Sequence, residues 1–153
     1  MKVTNILRKD HRLVSGMMMT LEMSPRVNGM LRKSLFNQIR HQLTVHAQAE
    51  EDVFYPAVRN LAFGQSDRLL NDAYREHEKV RRLLNDISNL DPLSNQFDKK
   101  IQDLKRTIHQ HVEEEEGKIF PMLERQWTVE QLRRVGQRLH ARKCDLNKEM
   151  AAA

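Results

Sequence analysis

Six residues of this chain interrupt otherwise apolar helical stripes: His11, His46, Glu50, His77, His111 and Glu115. In 46–50 and again in 111–115 the pattern is His-x-x-x-Glu, which on a helix puts both side chains on one face with roughly 6 Å of rise between them. Burying such groups without a partner costs on the order of several kcal/mol per ion, so something must compensate, and a metal does so most economically. An imidazole can hold one metal while the carboxylate a turn away reaches toward a second. Paired metals of this kind sit about 3.5 to 4 Å apart and share carboxylates. Imidazole and carboxylate without thiolate suit iron, with manganese or zinc as alternatives.

The spacing occurs twice. His11 and His77 are separated by 66 residues, while His46 and His111, Glu50 and Glu115, Glu51 and Glu116, and Pro56 and Pro121 are separated by 65. HAQAEEDVFYP (46–56) therefore lies over HVEEEEGKIFP (111–121), and the chain reads as two tandem helical hairpins. Two equivalent His, His, Glu sets would face one another in a single bundle, which suits a two-metal centre. His109 with Glu113 makes another His-x-x-x-Glu pair, but it falls off both the stripe and the repeat and reads as solvent-facing. His41 and His140 lack repeat partners and read the same way.

The elements that must carry these residues are helices. Apolar positions recur every three or four residues: Leu7, Val14, Met18 and Leu21; Leu35, Ile39 and Leu43; Leu70, Ala73, Val80, Leu84 and Ile87; Phe97, Ile101, Leu104, Ile108, Ile119 and Met122. Breaks are expected near Ser24-Pro25 to Gly29, at Gly64-Gln65-Ser66-Asp67, at Asp91-Pro92 with Ser94, and at Gln126-Trp127-Thr128. Ser66 or Asp67, Ser94 and Thr128 stand at expected N-caps, Thr128 with Gln131 in capping-box spacing. Pro56 and Pro121, late in the ligand-bearing helices, should kink them or end their regular hydrogen bonding. The fold class is all-α: one domain over 1–153, made of an up-down four-helix bundle from hairpins at about 1–63 and 66–125, with an additional C-terminal helix at about 128–148.

Composition narrows the function further. The 153 residues contain one cysteine, so no internal disulfide and no thiolate metal site can form, and a reducing cytoplasm is the expected setting. Mean hydropathy is −0.71. Apolar runs last only a few residues, which excludes a membrane span, and the start MKVTNILRKD lacks a secretory core. The net charge of +5 resides in residues 125–148, where seven basic groups oppose Glu130 and Asp145. Val129, Leu132, Val135, Leu139 and Leu146 give that segment an apolar face, so its arginines read as a solvated outer surface, and nucleic-acid binding is disfavoured. Glu-x-x-His, His-Glu-x-x-His, P-loop and Gly-x-Ser-x-Gly patterns are all absent.

Taken as a set, Asp10-His11, the HAQAE stretch, Glu76-His77-Glu78, the HVEEE stretch and the aromatic-Pro that follows each resemble the hemerythrin-like family, in the branch named for its His-His-Glu cation-binding repeat. The resemblance covers residues 1 to about 143. It implies a bundle holding two iron ions, oxo- or hydroxo-bridged, with His11, His46, His77 and His111 as terminal ligands and Glu50 and Glu115 as bridges. Oxygen-carrying members use a fifth histidine one turn from the one on the third helix, where this chain has Ala73 and Arg81, so a more open centre is implied than one for simple oxygen carriage. Tyr74, one turn before His77, is a candidate for the pocket. Glu51 and Glu116 are candidates for holding a histidine or a water behind the ligands, or else lie on a solvated helix face.

Three functional readings follow: a di-iron protein that binds or senses dioxygen, peroxide or nitric oxide; a di-iron enzyme with catalase-like or other oxidant-consuming turnover; and an iron-handling module whose basic tail docks on a partner. Homodimerisation through the C-terminal helix is compatible with each.

Overall fold

The computed structural model describes residues 1–61 and 66–152 of the chain. Five helices run through them. Helix α1 spans Val3–Met23. Helix α2 starts at Gly29–Ala49, passes through a π-helical turn at Glu50–Phe54 and continues over Tyr55–Leu61. Helix α3 spans Asp67–Ser88. Helix α4 starts at Asn95–Glu114, passes through a second π turn at Glu115–Ile119 and ends with Phe120–Gln126. Helix α5 spans Val129–Ala152. The first hairpin is α1 against α2, the second is α3 against α4, and α5 lies across α1, α2 and the first π turn.

Local chemistry sets the ends. Asn28 accepts from the Leu31 N–H at 3.0 Å and Ser94 from the Phe97 N–H at 3.1 Å. Thr128 and Gln131 form a reciprocal capping box at 3.1 and 2.8 Å. Ser66 occupies the cap position of α3, but its side chain makes no capping bond. The expected break at Gly64-Gln65, and the hairpin boundary at 63, lie outside the described residues. Buried Arg32 ties the two hairpin turns together, donating to the Pro92 carbonyl at 2.9 Å, to Ser24 Oγ at 3.1 Å and to Asp98.

The bundle has two apolar cores rather than one. One gathers Val14, Met18, Leu21, Phe36, Ile39, Val80, Leu84, Phe97 and Leu104. The other gathers Leu7, Phe54, Val58, Leu70, Phe120 and Trp127 with Leu132, Val135, Leu139 and Leu146 of α5. Each inward histidine stands where its helix passes from one core to the other: His11 between Leu7 and Val14, His77 between Ala73 and Val80. The ligand candidates thus form a polar layer between two hydrophobic ones.

Helix α5 departs from expectation in two respects. It runs four residues beyond 148, and Val129 is 48% exposed rather than packed, because it sits in the first turn before the helix meets the bundle. The other four apolar residues named for its inner face are buried.

The prolines interrupt the α ladder without stopping the helices. Each follows directly after the residue that closes a π turn, the Tyr55 N–H donating to the Glu50 carbonyl and the Phe120 N–H to the Glu115 carbonyl, five residues back. Proline lacks an N–H and its ring crowds the carbonyl one turn earlier, and a widened turn accommodates both defects.

Candidate metal centre

All six expected residues come together. His11, His46, His77 and His111 are 4–8% exposed, and Glu50 and Glu115 no more than 1%. Ligating atoms of His11, His46, Glu50 and Glu115 lie within 4.8 Å of one another, as do those of Glu50, His77 and His111, so Glu50 belongs to both groups. Its Oε1 is 3.0 Å from His46 Nε2 and 3.2 Å from His77 Nε2. Glu115 sends Oε1 to His11 at 3.2 Å and Oε2 to His111 at 3.1 Å, one oxygen toward each pair. The rings pair by hairpin, His11 with His46 at 5.0 Å and His77 with His111 at 4.8 Å.

The orientation of these atoms is informative. Nε2 of His11, His46 and His111, Glu50 Oε2 and Glu115 Oε1 are buried and lack any hydrogen-bond partner, although carboxylate oxygens stand 3.0–3.2 Å from the first two nitrogens and His111's. The groups point at shared points in space rather than at each other. An orphaned buried polar atom is costly, and native proteins rarely keep five together without a reason. Two cations, each taking two imidazoles and shared carboxylates, satisfy the whole set, so the residues fit a two-metal centre.

The opposite edge of every imidazole is fixed. Each Nδ1 faces a carboxylate: His11 and Glu116 at 3.1 Å, His46 and Asp10 at 3.0 Å, His77 and Glu51 at 2.7 Å, His111 and Glu76 at 2.9 Å. With Nδ1–H donating to the carboxylate, Nε2 is left free to bind metal and made more basic. Glu51 and Glu116 are therefore not merely residues of a solvated face. Asp10 and Glu76, which do the same work, stand in the sequence analysis only as part of the family pattern, with no role assigned to them. Their signal was the repeat itself, because an acid precedes the first histidine of both hairpins.

Tyr74 does not enter the cluster. It is half-buried, with its ring edge-on to Tyr55 at 5.2 Å. Tyr55 occupies the place instead, fully buried, its hydroxyl donating to Glu115 Oε2 at 2.8 Å and lying 3.2 Å from His77 Nε2 and 3.4 Å from Glu50 Oε1. The π turn explains the exchange. Its extra residue brings position 55, rather than 54, back over Glu50. His109 is 72% exposed, as its register requires.

Within the cluster, imidazoles and carboxylates hold one another in their charged forms. Burial disfavours a charged His46, but Glu50 and Asp10 outweigh it and raise its pKa to about 10. His77 and His111 are raised against their own burial, by Glu50 and Glu51 and by Glu115. Glu50 is held well below the usual carboxylate range, burial being overcome by His46 and the hydrogen-bonding histidines. Burial and the two carboxylates push the Tyr55 hydroxyl well up, so it keeps its proton. A cavity of about 30 Å³ lies against the four imidazoles, roofed by Val14, Leu43, Val80 and Ile108.

Comparison with known proteins agrees with this geometry. The hemerythrin HHE cation-binding domain matches residues 2–123. A hemerythrin HHE cation-binding domain-containing protein from Mycobacterium kansasii, of known crystal structure, superposes with a TM-score of 0.84 over 97% of this chain and 89% of its own, at 22% identity, and so shares the fold. A DNA nickase of Nostoc sp. is 30% identical over 86% of the chain, and an uncharacterized hemerythrin-like protein of Schizosaccharomyces pombe 22% identical over 85%. The chain spans 36% and 63% of the lengths of these two relatives. No helix among the described residues is long and apolar enough to cross a membrane. A buried cage of four histidines and two glutamates, duplicated across two hairpins and matched over four fifths of the sequence, makes this chain a member of the hemerythrin HHE cation-binding domain family.

Proposed function

We propose that the protein holds two iron ions between its hairpins and binds, senses or reacts with a small oxidant such as dioxygen, peroxide or nitric oxide, in the reducing cytoplasm. The observation that carries this reading is the set of five orphaned ligand atoms, arranged as two histidine pairs spanned by two glutamates. Two such ions would supply one-electron chemistry and open coordination positions. The chain supplies the rest. Asp10, Glu51, Glu76 and Glu116 lock each imidazole in the tautomer that leaves Nε2 as the ligand. Val14, Leu43, Val80 and Ile108 keep the cavity beside the histidines dry, and its size restricts entry to molecules of a few atoms. Tyr55 holds a proton at its hydroxyl within the polar layer, where it can be given to a reduced ligand and recovered.

That hydroxyl favours oxidant-consuming turnover as a second reading, because reduction of peroxide requires protons. Anaerobic titration with ferrous iron, followed by exposure to oxygen and to peroxide, separates the readings. Two irons per chain and near-ultraviolet oxo-to-iron bands on oxidation are expected. Sustained gas release would favour the enzyme, and one metal or none would remove the paired-site reading.

A further inference from the structure

Helix α5 lies beyond residue 123, where the family match ends, yet Lys143 of it reaches a carboxylate that faces a candidate ligand, and Arg142 beside it reaches the first π turn. Lys143 donates to both oxygens of Asp10, at 2.6 and 2.7 Å, and Asp10 Oδ2 in turn receives the Nδ1–H of His46 at 3.0 Å. These side chains are 19% and 12% exposed, so this is a largely buried ion pair and not a solvated one. Arg142 donates to Asp52 at 2.8 Å, and Asp52 belongs to the π turn that begins with Glu50. The second histidine pair has a comparable arrangement from within the bundle, Arg81 donating at 2.6 Å to the Glu51 oxygen that faces His77 Nδ1 at 2.7 Å, but it receives nothing from α5. The positions equivalent to Asp10 and Asp52 are Glu76 and Gly117; among the described residues Glu76 meets His111 but no lysine or arginine, and Gly117 has no side chain.

We infer that α5 is part of the metal centre, with Lys143 a positioning residue that acts through Asp10 on His46, so that the His11–His46 position depends on α5 and the His77–His111 position does not. This rests on the two-metal reading above. The physical basis is steric and electrostatic. A carboxylate held by one ammonium on both oxygens cannot rotate, and its plane fixes that of the imidazole it accepts from. The ammonium also draws charge from Asp10, which weakens its pull on the His46 Nδ1–H relative to that of Glu76 on His111, but the orientation it enforces outweighs this loss of ligand basicity. The basic surface of α5 thereby gains a role for one of its cations that the sequence assigned to solvent.

The test uses cobalt(II), added to the full chain with a competing chelator, so that each binding step yields its own constant. Wild type is compared with Lys143→Met, with Lys143→Arg and with Arg133→Ala, an exposed control on the same helix. The expected result is two cobalt ions in wild type and control. Lys143→Met should weaken one step about tenfold or more, the range for removing a group that orients a ligand, and leave the other unchanged. Lys143→Arg, which restores the cation, should recover most of that loss. A readout that a merely structural lysine would not move is the Nδ1–H proton resonance. In Lys143→Met that of His46 should shift downfield while that of His111 stays in place. Should the Met variant fail to fold, Lys143→Gln keeps a hydrogen bond to Asp10 without the charge and reports the same constants. Equal constants in wild type and variant, or equal weakening of both steps, would overturn the inference. Fewer than two cobalt ions in wild type would instead overturn the two-metal reading beneath it.

Discussion

The two hairpins present nearly the same ligands and differ in what surrounds them. Ring separations within the histidine pairs agree to 0.2 Å, 5.0 against 4.8 Å, and all four Nδ1 atoms have a carboxylate. One position past each π turn the symmetry ends. Tyr55 lies against His77 at 5.4 Å with its hydroxyl in the polar layer, while its equivalent Phe120 stacks parallel on His11 at 6.2 Å and offers no proton. Duplication thus provides a symmetric cage, and single substitutions in the layer behind it make the two metal positions chemically distinct. A reaction that needs a proton at one end can be built this way without disturbing any ligand.

The strongest way to break the comparison is to remove a glutamate that stands between the histidine pairs. Glu50 stands in both histidine groups, so Glu50→Ala should weaken both metal positions at least about 100-fold, more than the loss of an orienting neighbour. Glu115→Ala should hit the His11–His46 position hardest. Metal analysis after gel filtration distinguishes the two outcomes, and equal losses in both variants would show the two glutamates to be interchangeable.

Protons give the next largest effect. His46 titrates near 10 in the metal-free protein, and His77 and His111 are raised too, so at neutral pH metal must displace protons from imidazoles. Affinity should climb with pH by up to tenfold per unit for each proton released. Calorimetry in buffers of different ionisation enthalpy counts those protons. Without metal the sign of stability is the reverse. A folded pKa above the ordinary 6.5 contributes stability that is complete below 6.5 and lost as pH rises toward about 10. Glu50, depressed below 4.5, contributes stability present above that value and lost on acidification. The Tm difference between loaded and metal-free protein should therefore widen from pH 6.5 to 10.

The cluster of ligand candidates was legible in the sequence because each costs something where it stands. A histidine in a stripe of leucines and valines needs an explanation, and a second copy 65 residues on supplies one. The helix caps at Ser94 and Thr128 were legible for a similar reason, since each hydroxyl answers a local N–H. Tyr55 was not, because a 3.6-residue period places Phe54 above Glu50. The π turn that changes the register begins at a glutamate and ends just before an aromatic-proline pair, a combination and not any one residue type. Nor were Asp10 and Glu76. A residue next to an inward histidine points about 100° away from it and reads as surface, and only the neighbouring helix shows that it meets another imidazole. Lys143 was hidden twice over, in a run of cations that looked solvated and on a helix outside the repeat.

Tyr55 permits the finest division of the two halves, and the sign of its effect is what matters. In the metal-free protein its hydroxyl occupies Glu115 Oε2 and His77 Nε2, atoms that a metal would claim. A ligand tyrosine and a competing one lead to opposite results on removal of the oxygen. If the hydroxyl competes, Tyr55→Phe loses about 1 kcal/mol of metal-free stability, the net value of a hydrogen bond, and leaves the loaded protein nearly unchanged. The second metal then binds about fivefold tighter. If it ligates, the same variant binds more weakly. The geometry favours the first outcome, since the hydroxyl already donates to the Glu115 oxygen that a metal would claim. Phe120→Tyr should carry the effect to the other hairpin, weakening the His11–His46 position by a similar factor, because the added hydroxyl would reach the equivalent edge of Glu50. Cobalt titration of the two single variants and the double exchange would show whether the asymmetry of the centre resides in this one oxygen atom.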